Sequence, residues 1–133
     1  MATETLVPIE HEGDIVTARQ KGRELAAASG LSTTEQTLIA TAISEIARNI
    51  VVYAHHGQVV LTTVEQNGRR GIVVVARDEG PGIENPELAM RDGYSSSNSL
   101  GMGLPGARRL MDEFELSTMV GKGTTITMKK WVR

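Results

Sequence analysis

The chain has no cysteine among its 133 residues. That excludes disulfides and thiolate metal centres and leaves it compatible with a reducing compartment. Aromatics are almost missing too, at 3%, so a core has to be assembled from Ile, Val, Leu, Met and Ala. No apolar run approaches the ~20 residues that a membrane helix needs. The first residues, Met1 to Glu12, carry acids and Pro8 where a signal peptide would have an apolar stretch. Excess positive charge is also lacking. The net charge of -2 gives no electrostatic reason to expect nucleic acid. The basic pairs Arg69-Arg70, Arg108-Arg109 and Lys129-Lys130 are short and read as solvated faces. Repeats, linkers and low-complexity tracts are absent.

What is present fits one domain of ordinary size spanning 1–133. A chain this long buries roughly two-thirds of the surface its unfolded form exposes. Glycine is the informative residue. Eight of the 14 glycines lie between positions 80 and 123, which concentrates freely turning backbone in loops of the second half.

Thr5 to Ile9 reads as a first strand. Asp14 is placed to cap a helix running to Ser29, with Gly30 as its stop. A second helix begins after Leu31, where Ser32-x-x-Glu35 or Thr33-x-x-Gln36 can form a capping box. Its apolar stripe is Ile39, Ala42, Ile43, Ile46 and Ile50, with Tyr53 next in the series. Two β-branched runs, Gln58 to Glu65 and Gly71 to Arg77, flank Asn67-Gly68, a hairpin signal. Val73-Val74-Val75 reads as a strand buried on both faces. Asn85 followed by Pro86 suits the start of a short helix. Leu104 to Glu113 reads as helical, with Leu104, Ala107, Leu110, Met111 and Phe114 on one face. A last hairpin joins Glu115–Val120 to Thr124–Val132. This order predicts an α+β two-layer sandwich, a mostly antiparallel sheet with helices on one face.

Four local patterns carry chemistry. On the second helix, Glu45 and Asn49 are i, i+4 neighbours at the edge of the apolar stripe. They are either an exposed polar pair, or a carboxylate base beside an amide whose oxygen can hold Mg²⁺. Asp78-Glu79-Gly80-Pro81-Gly82 follows the Val73–Val75 strand. A carboxylate there can accept from an exocyclic amine such as that of adenine, and Gly80 and Gly82 permit close approach; a plain Gly-Pro turn is the simpler alternative. Gly101-Met102-Gly103-Leu104-Pro105-Gly106 matches a G-x-G-x-x-G pattern. The polar residues Ser95 to Ser99 before it rule out the strand that a dinucleotide fold requires. No V-A-I-K, H-R-D or D-F-G accompanies it, and no Walker A loop is present. A glycine loop opening a helix at Leu104 remains, with backbone N–H groups suited to phosphate. Last, Gly121-Lys122-Gly123-Thr124-Thr125 is a tight turn that can bring a Thr hydroxyl onto a purine.

Taken together and in this order, the four resemble the GHKL ATP-binding fold shared by gyrase, Hsp90, histidine kinases and MutL, from about residue 12 to the end. Within it the chain is similar to the anti-sigma-factor serine kinases, notably in DIVTARQKGRELA, TAISEIARNI, DEGPGI and GLPGARRLMDEFEL. The resemblance implies an ATP- and Mg²⁺-dependent, cytoplasmic protein serine/threonine kinase. Its substrate would be a STAS-domain partner of a stressosome-like scaffold, and after release it would activate a PP2C-type phosphatase, with neither nucleic acid nor membrane as partner. It implies Glu45 as the base for the acceptor serine and Asn49 as the Mg²⁺ ligand. Asp78 would take the adenine amine, with Gly80 and Gly82 in the turn beneath the base and Thr124 supporting it. Gly101, Gly103 and Leu104 would line the phosphates. Arg48, beside Asn49, departs from many members. Glu84 to Leu100 would be a lid, with Gly93 and Ser95, Ser96, Ser97 and Ser99 and few apolar anchors, expected to open readily without nucleotide.

An anti-sigma factor that sequesters a sigma factor, with ATP as a structural ligand, is the alternative. A histidine-kinase catalytic domain is disfavoured, because no helix with a phosphoacceptor His precedes the domain and His55-His56 fall at a helix end.

Overall fold

The computed structural model describes residues 4–91 and 103–133. Strand β1 (Glu4–Ile9) leads into helix α1 (Glu12–Ser29) and then α2 (Thr33–Asn49), which runs on as a π-helical turn, Ile50–Ala54. Strands β2 (Gly57–Gln66) and β3 (Arg69–Asp78) follow, then the short helix α3 (Pro86–Ala89), helix α4 (Gly103–Leu110), and strands β4 (Glu113–Met119) and β5 (Gly123–Trp131). The five strands form one sheet in the order β1-β2-β3-β5-β4, with every neighbouring pair antiparallel. This is the expected α+β architecture.

Local sequence explains most of the ends. Ser32 Oγ accepts from Glu35 N–H while Glu35 reaches back to Ser32 N–H, each at 3.1 Å, so the first of the two expected capping boxes is the one used. Gly30 closes α1 in the left-handed region at φ 95. Asn67 and Gly68 both have positive φ, 54 and 79, as a two-residue hairpin turn matching the strand twist requires. Asn85 Oδ1 accepts from Leu88 N–H at 3.1 Å, and Pro86 takes the first helical position.

Several expectations are corrected. Helix α1 starts earlier than Asp14: His11 is its cap residue, and Asp14 is the third residue inside. Its Oδ2 accepts from the N–H groups of Glu10 (2.8 Å) and His11 (2.9 Å), and these bonds hold the carboxyl below the usual aspartate range. Tyr53 leaves the apolar stripe and is exposed. The π turn is wider than an α turn, so Ala54 takes the inward place instead. Strand β3 is not buried on both faces. It alternates, with Ile72, Val74 and Ala76 buried and Val73 and Val75 half-buried on the sheet's open side. Phe114 belongs to β4, since α4 stops at Leu110. Lys130 is buried, and its Nζ donates to the Leu110 carbonyl at 2.9 Å; it caps α4 and belongs to no solvated face.

The core lies between α1, α2 and one sheet face. Ile39, Ile43, Ile46 and Ile50 of α2 and its turn meet Val59, Leu61, Ile72, Val74, Ile126 and Met128 from the strands. Each such side chain contributes roughly 1.5–3 kcal/mol by leaving water. Within the 22-residue helix Thr33–Ala54 an 18-residue window reaches a mean hydropathy of 1.2, long and apolar enough by composition alone to cross a membrane. Half of it is buried inside this fold, where it serves as the central helix.

Candidate functional site

The C-terminal half of α2 supplies the first wall. Its inward stripe fixes the rotation of the helix, so Glu45 and Asn49, one turn apart on the flank, are half-buried. Arg48 between them is exposed, and its Nη1 lies 3.2 Å from Glu45 Oε1. The π turn then presents Val52 and Tyr53 to the same space. Such turns are recurrent at functional sites.

The second wall is the end of β3. Asp78 is the last residue of the strand, opposite Gly57 of β2 and Thr124 of β5. Its Oδ1 accepts from Gly80 N–H at 2.9 Å, closing the turn that follows. The loop then docks on the β4–β5 hairpin. Gly121 N–H donates to Pro81 O at 2.8 Å, and Ile83 N–H donates to Thr118 Oγ1 at 2.9 Å. The glycines make this docking feasible. A Cβ on Gly80 would stand 2.6 Å from Ala54 Cβ, and one on Gly82 would collide with the Met119 carbonyl. The close approach seen at both positions is therefore to protein.

Thr118 fixes a hydroxyl chain that the sequence did not single out. Its Oγ1 accepts from Ile83, donates to Gly123 O at 3.2 Å, and lies 2.9 Å from Thr124 Oγ1. A hydroxyl has one proton to give. If Gly123 O receives that of Thr118, Thr124 donates to Thr118 and keeps lone pairs facing outward.

Helix α4 closes the third side. Gly103 and Leu104 in its first turn line the space, with Leu104 buried. First-turn N–H groups have no intrahelical acceptor, and Lys130 anchors the other end of the helix. Gly101 and Met102 lie outside the described residues, as does residues 92–100 of the expected lid, including Gly93 and the serines.

These walls enclose a cavity of about 410 Å³, within the size range of small-molecule sites. It brings together Glu45, Asn49, Asp78, Gly82, Gly103, Leu104 and Thr124, spread over 80 residues of sequence. Gly80 is not in the lining and acts through the turn. Ile83, Leu88, Ala89 and Val52 give an apolar floor suited to a flat heterocycle, which no motif flagged because aliphatic residues read as core. Among the described residues no cluster of three His, Asp or Glu could hold a metal by itself. The Asn49 amide oxygen is nevertheless a hard donor. That fits Mg²⁺, which keeps several waters and takes one or two protein oxygens besides substrate phosphates.

The sequence model of the family described as "Histidine kinase-like ATPase domain" matches residues 8–130. The serine/threonine-protein kinase RsbT of Bacillus subtilis (strain 168) is 48% identical over 133 residues, 100% of each chain. An anti-sigma F factor of Clostridium kluyveri is 31% identical over 100 residues, covering 72% of this chain and 70% of that protein. Among solved structures, a mycobacterial sensor histidine kinase, MprB, superposes with a TM-score of 0.57 at 13% identity, covering 98% of this chain and 99% of that one. That last likeness is one of fold.

Proposed function

The chain belongs to the histidine kinase-like ATPase family as a serine/threonine-protein kinase, and we propose that it uses Mg·ATP to phosphorylate a serine of a STAS-domain partner on a stressosome-like scaffold. Released from that scaffold, it activates a PP2C-type phosphatase, and it works in the cytoplasm, where ATP is supplied. The observation that carries this reading is the convergence of Glu45, Asn49, Asp78, Thr124 and the α4 start on one cavity.

The roles follow from the chemistry of each group. Asp78 accepts from the adenine amine with the oxygen that Gly80 leaves free, and Thr124 supports the same edge. Gly82 sits beneath the base. Asn49 holds Mg²⁺, and the amides of Gly101, Gly103 and Leu104 receive phosphate. Glu45 takes the proton of the acceptor hydroxyl. Phosphoryl transfer needs mainly positioning and charge neutralisation, which such a site can provide.

Incubation with radiolabelled ATP and a STAS-domain partner is the test. The label should appear on serine as an acid-stable phosphoester, and Glu45→Gln should slow transfer by about 10²–10⁴-fold, the usual worth of a general base, with ATP affinity little changed. Bound ATP without transfer would reject the kinase reading.

A second reading is favoured by the similarity to the anti-sigma F factor: sequestration of a sigma factor, with ATP as a structural ligand. Capture of sigma factors, and not STAS proteins, by the immobilised chain would support it, and Glu45→Gln would then leave the output intact.

A further inference from the structure

The cavity carries an unbalanced charge. Three carboxylates line it, those of Glu45, Asp78 and Glu84, and Arg48 is the one cationic side chain among the described residues doing so. Its guanidinium is engaged with Glu45, at 3.2 Å. A triphosphate entering this space brings more negative charge beside three carboxylates. Mg²⁺ offsets part of it, and a second cation near the reacting phosphorus stabilises charge on the equatorial oxygens as transfer proceeds. The pair is poorly placed to stay closed. Arg48 is 46% exposed while Glu45 is 16% exposed, so the arginine is free to swing on its long stem, and exposed pairs of this kind are weak. Planar bidentate contacts make phosphate a better partner than one carboxylate oxygen.

We propose that Arg48 is the catalytic cation of this site: it leaves Glu45 for the terminal phosphate of bound ATP, and in doing so releases the Glu45 carboxylate to the acceptor. The inference rests on the kinase reading and deepens it. In the step itself the acceptor oxygen bonds to the γ-phosphorus as its proton passes to Glu45. The bond from that phosphorus to the β,γ-bridging oxygen breaks, and its electron pair stays with ADP. Arg48 holds the oxygens of the transferred group throughout. Nucleotide loading and base release are thus one event, so the empty enzyme keeps its base paired.

The test compares ATP with ADP, because only ATP carries the phosphate that Arg48 would touch. Binding of each, with Mg²⁺, is titrated calorimetrically for the wild type, Arg48→Ala and Arg48→Lys, with circular dichroism to verify the fold. Arg48→Ala should bind ATP about tenfold more weakly and ADP within about twofold of wild type. Its rate constant for transfer at saturating ATP should fall about 10²-fold or more, since arginines in this role are worth 10³–10⁵. Arg48→Lys keeps the charge without the fork, so it should recover much of the ATP affinity and little of the rate. Equal losses for ATP and ADP, or no loss for either, would overturn the proposal. If the wild-type chain binds ATP but transfers nothing, the kinase reading fails, and the ATP-to-ADP ratio still decides whether Arg48 contacts the terminal phosphate. A wild-type chain that binds neither nucleotide overturns both.

Discussion

The carboxylate of Asp78 has two oxygens with separate tasks. Oδ1 accepts the Gly80 N–H at 2.9 Å, and the side chain lines the cavity, where Oδ2 is the oxygen proposed to take the adenine amine. Asn at this position would keep the Gly80 bond with its carbonyl oxygen and turn its NH₂ towards the ligand. A donor would then face the adenine amine, itself a donor. Losing a charge-assisted bond costs about 1.5–3 kcal/mol, so Asp78→Asn should weaken ATP binding at least tenfold with the circular dichroism spectrum unchanged. An unaltered titration would end the adenine assignment. Asp78 was legible in the sequence because a carboxylate at a strand end followed by spaced glycines is a local pattern. Thr118 was not. Its partners Ile83 and Thr124 come from a loop 35 residues away and from the neighbouring strand, and a threonine in a strand reads as ordinary β-propensity. Arg48 was visible as a residue, but its pairing with Glu45 depends on a rotamer that sequence does not specify.

The β4–β5 hairpin does more than complete the sheet. It holds the Asp78–Ile83 loop, and the turn residue Gly123 is where the two touch. Gly123 has φ 128, and a Cβ there would run into the Asp78 carbonyl and stand 2.8 Å from Glu79 Cα. Gly30 also has positive φ, 95, but nothing lies within 4 Å of its would-be Cβ. Comparing the two separates backbone conformation from close approach. Gly30→Ala should cost about 1–2 kcal/mol, the penalty of left-handed backbone alone. Gly123→Ala adds displacement of Asp78, the residue proposed to bind adenine, so it should cost more than Gly30→Ala in urea unfolding and weaken nucleotide binding, which Gly30→Ala leaves alone. Equal effects on stability and none on binding would mean that the loop accommodates the methyl. Elements were mostly legible because each has a local cause, such as the Ser32 box, the Asn67-Gly68 turn or the α2 stripe. What escaped has a non-local cause or competing local signals. Asp14 is a favoured cap type, yet it works as the reciprocal acceptor in the first turn of α1 while His11 takes the cap position. The π turn shifts the register after Asn49, so a strict helical spacing overshoots at Tyr53. Lys130 is polar by type and buried only because the end of α4 presents a carbonyl to it.

At the scale of the whole molecule the cavity is a joint between parts that the chain order keeps distant: the end of α2, the β3–β5 edge and the start of α4. A ligand that touches all three binds only when the fold is complete, so it must stabilise the folded state by mass action. At a concentration 100 times its dissociation constant the gain is about 2.7 kcal/mol. For a chain of this size 1 kcal/mol is worth about 3–4 °C, which predicts a rise in Tm of about 8–11 °C with saturating Mg·ATP. The variants then divide by role. Asp78→Asn, binding tenfold more weakly at the same nucleotide concentration, keeps about 1.4 kcal/mol of that gain and should show about half the rise. Glu45→Gln should show the full rise, because a base acts on the acceptor and not on ATP binding. Both should melt near the wild-type temperature without nucleotide, since Glu45 and Asp78 stand at the edge of the core and not within it. Differential scanning calorimetry, which reads the transition without any reporter group, is the measurement to make. An equal rise in Asp78→Asn and wild type would mean that the nucleotide sits elsewhere than the strand end. A diminished rise in Glu45→Gln would place that carboxylate in the nucleotide's own binding contacts, and its part in catalysis would then have to be argued anew.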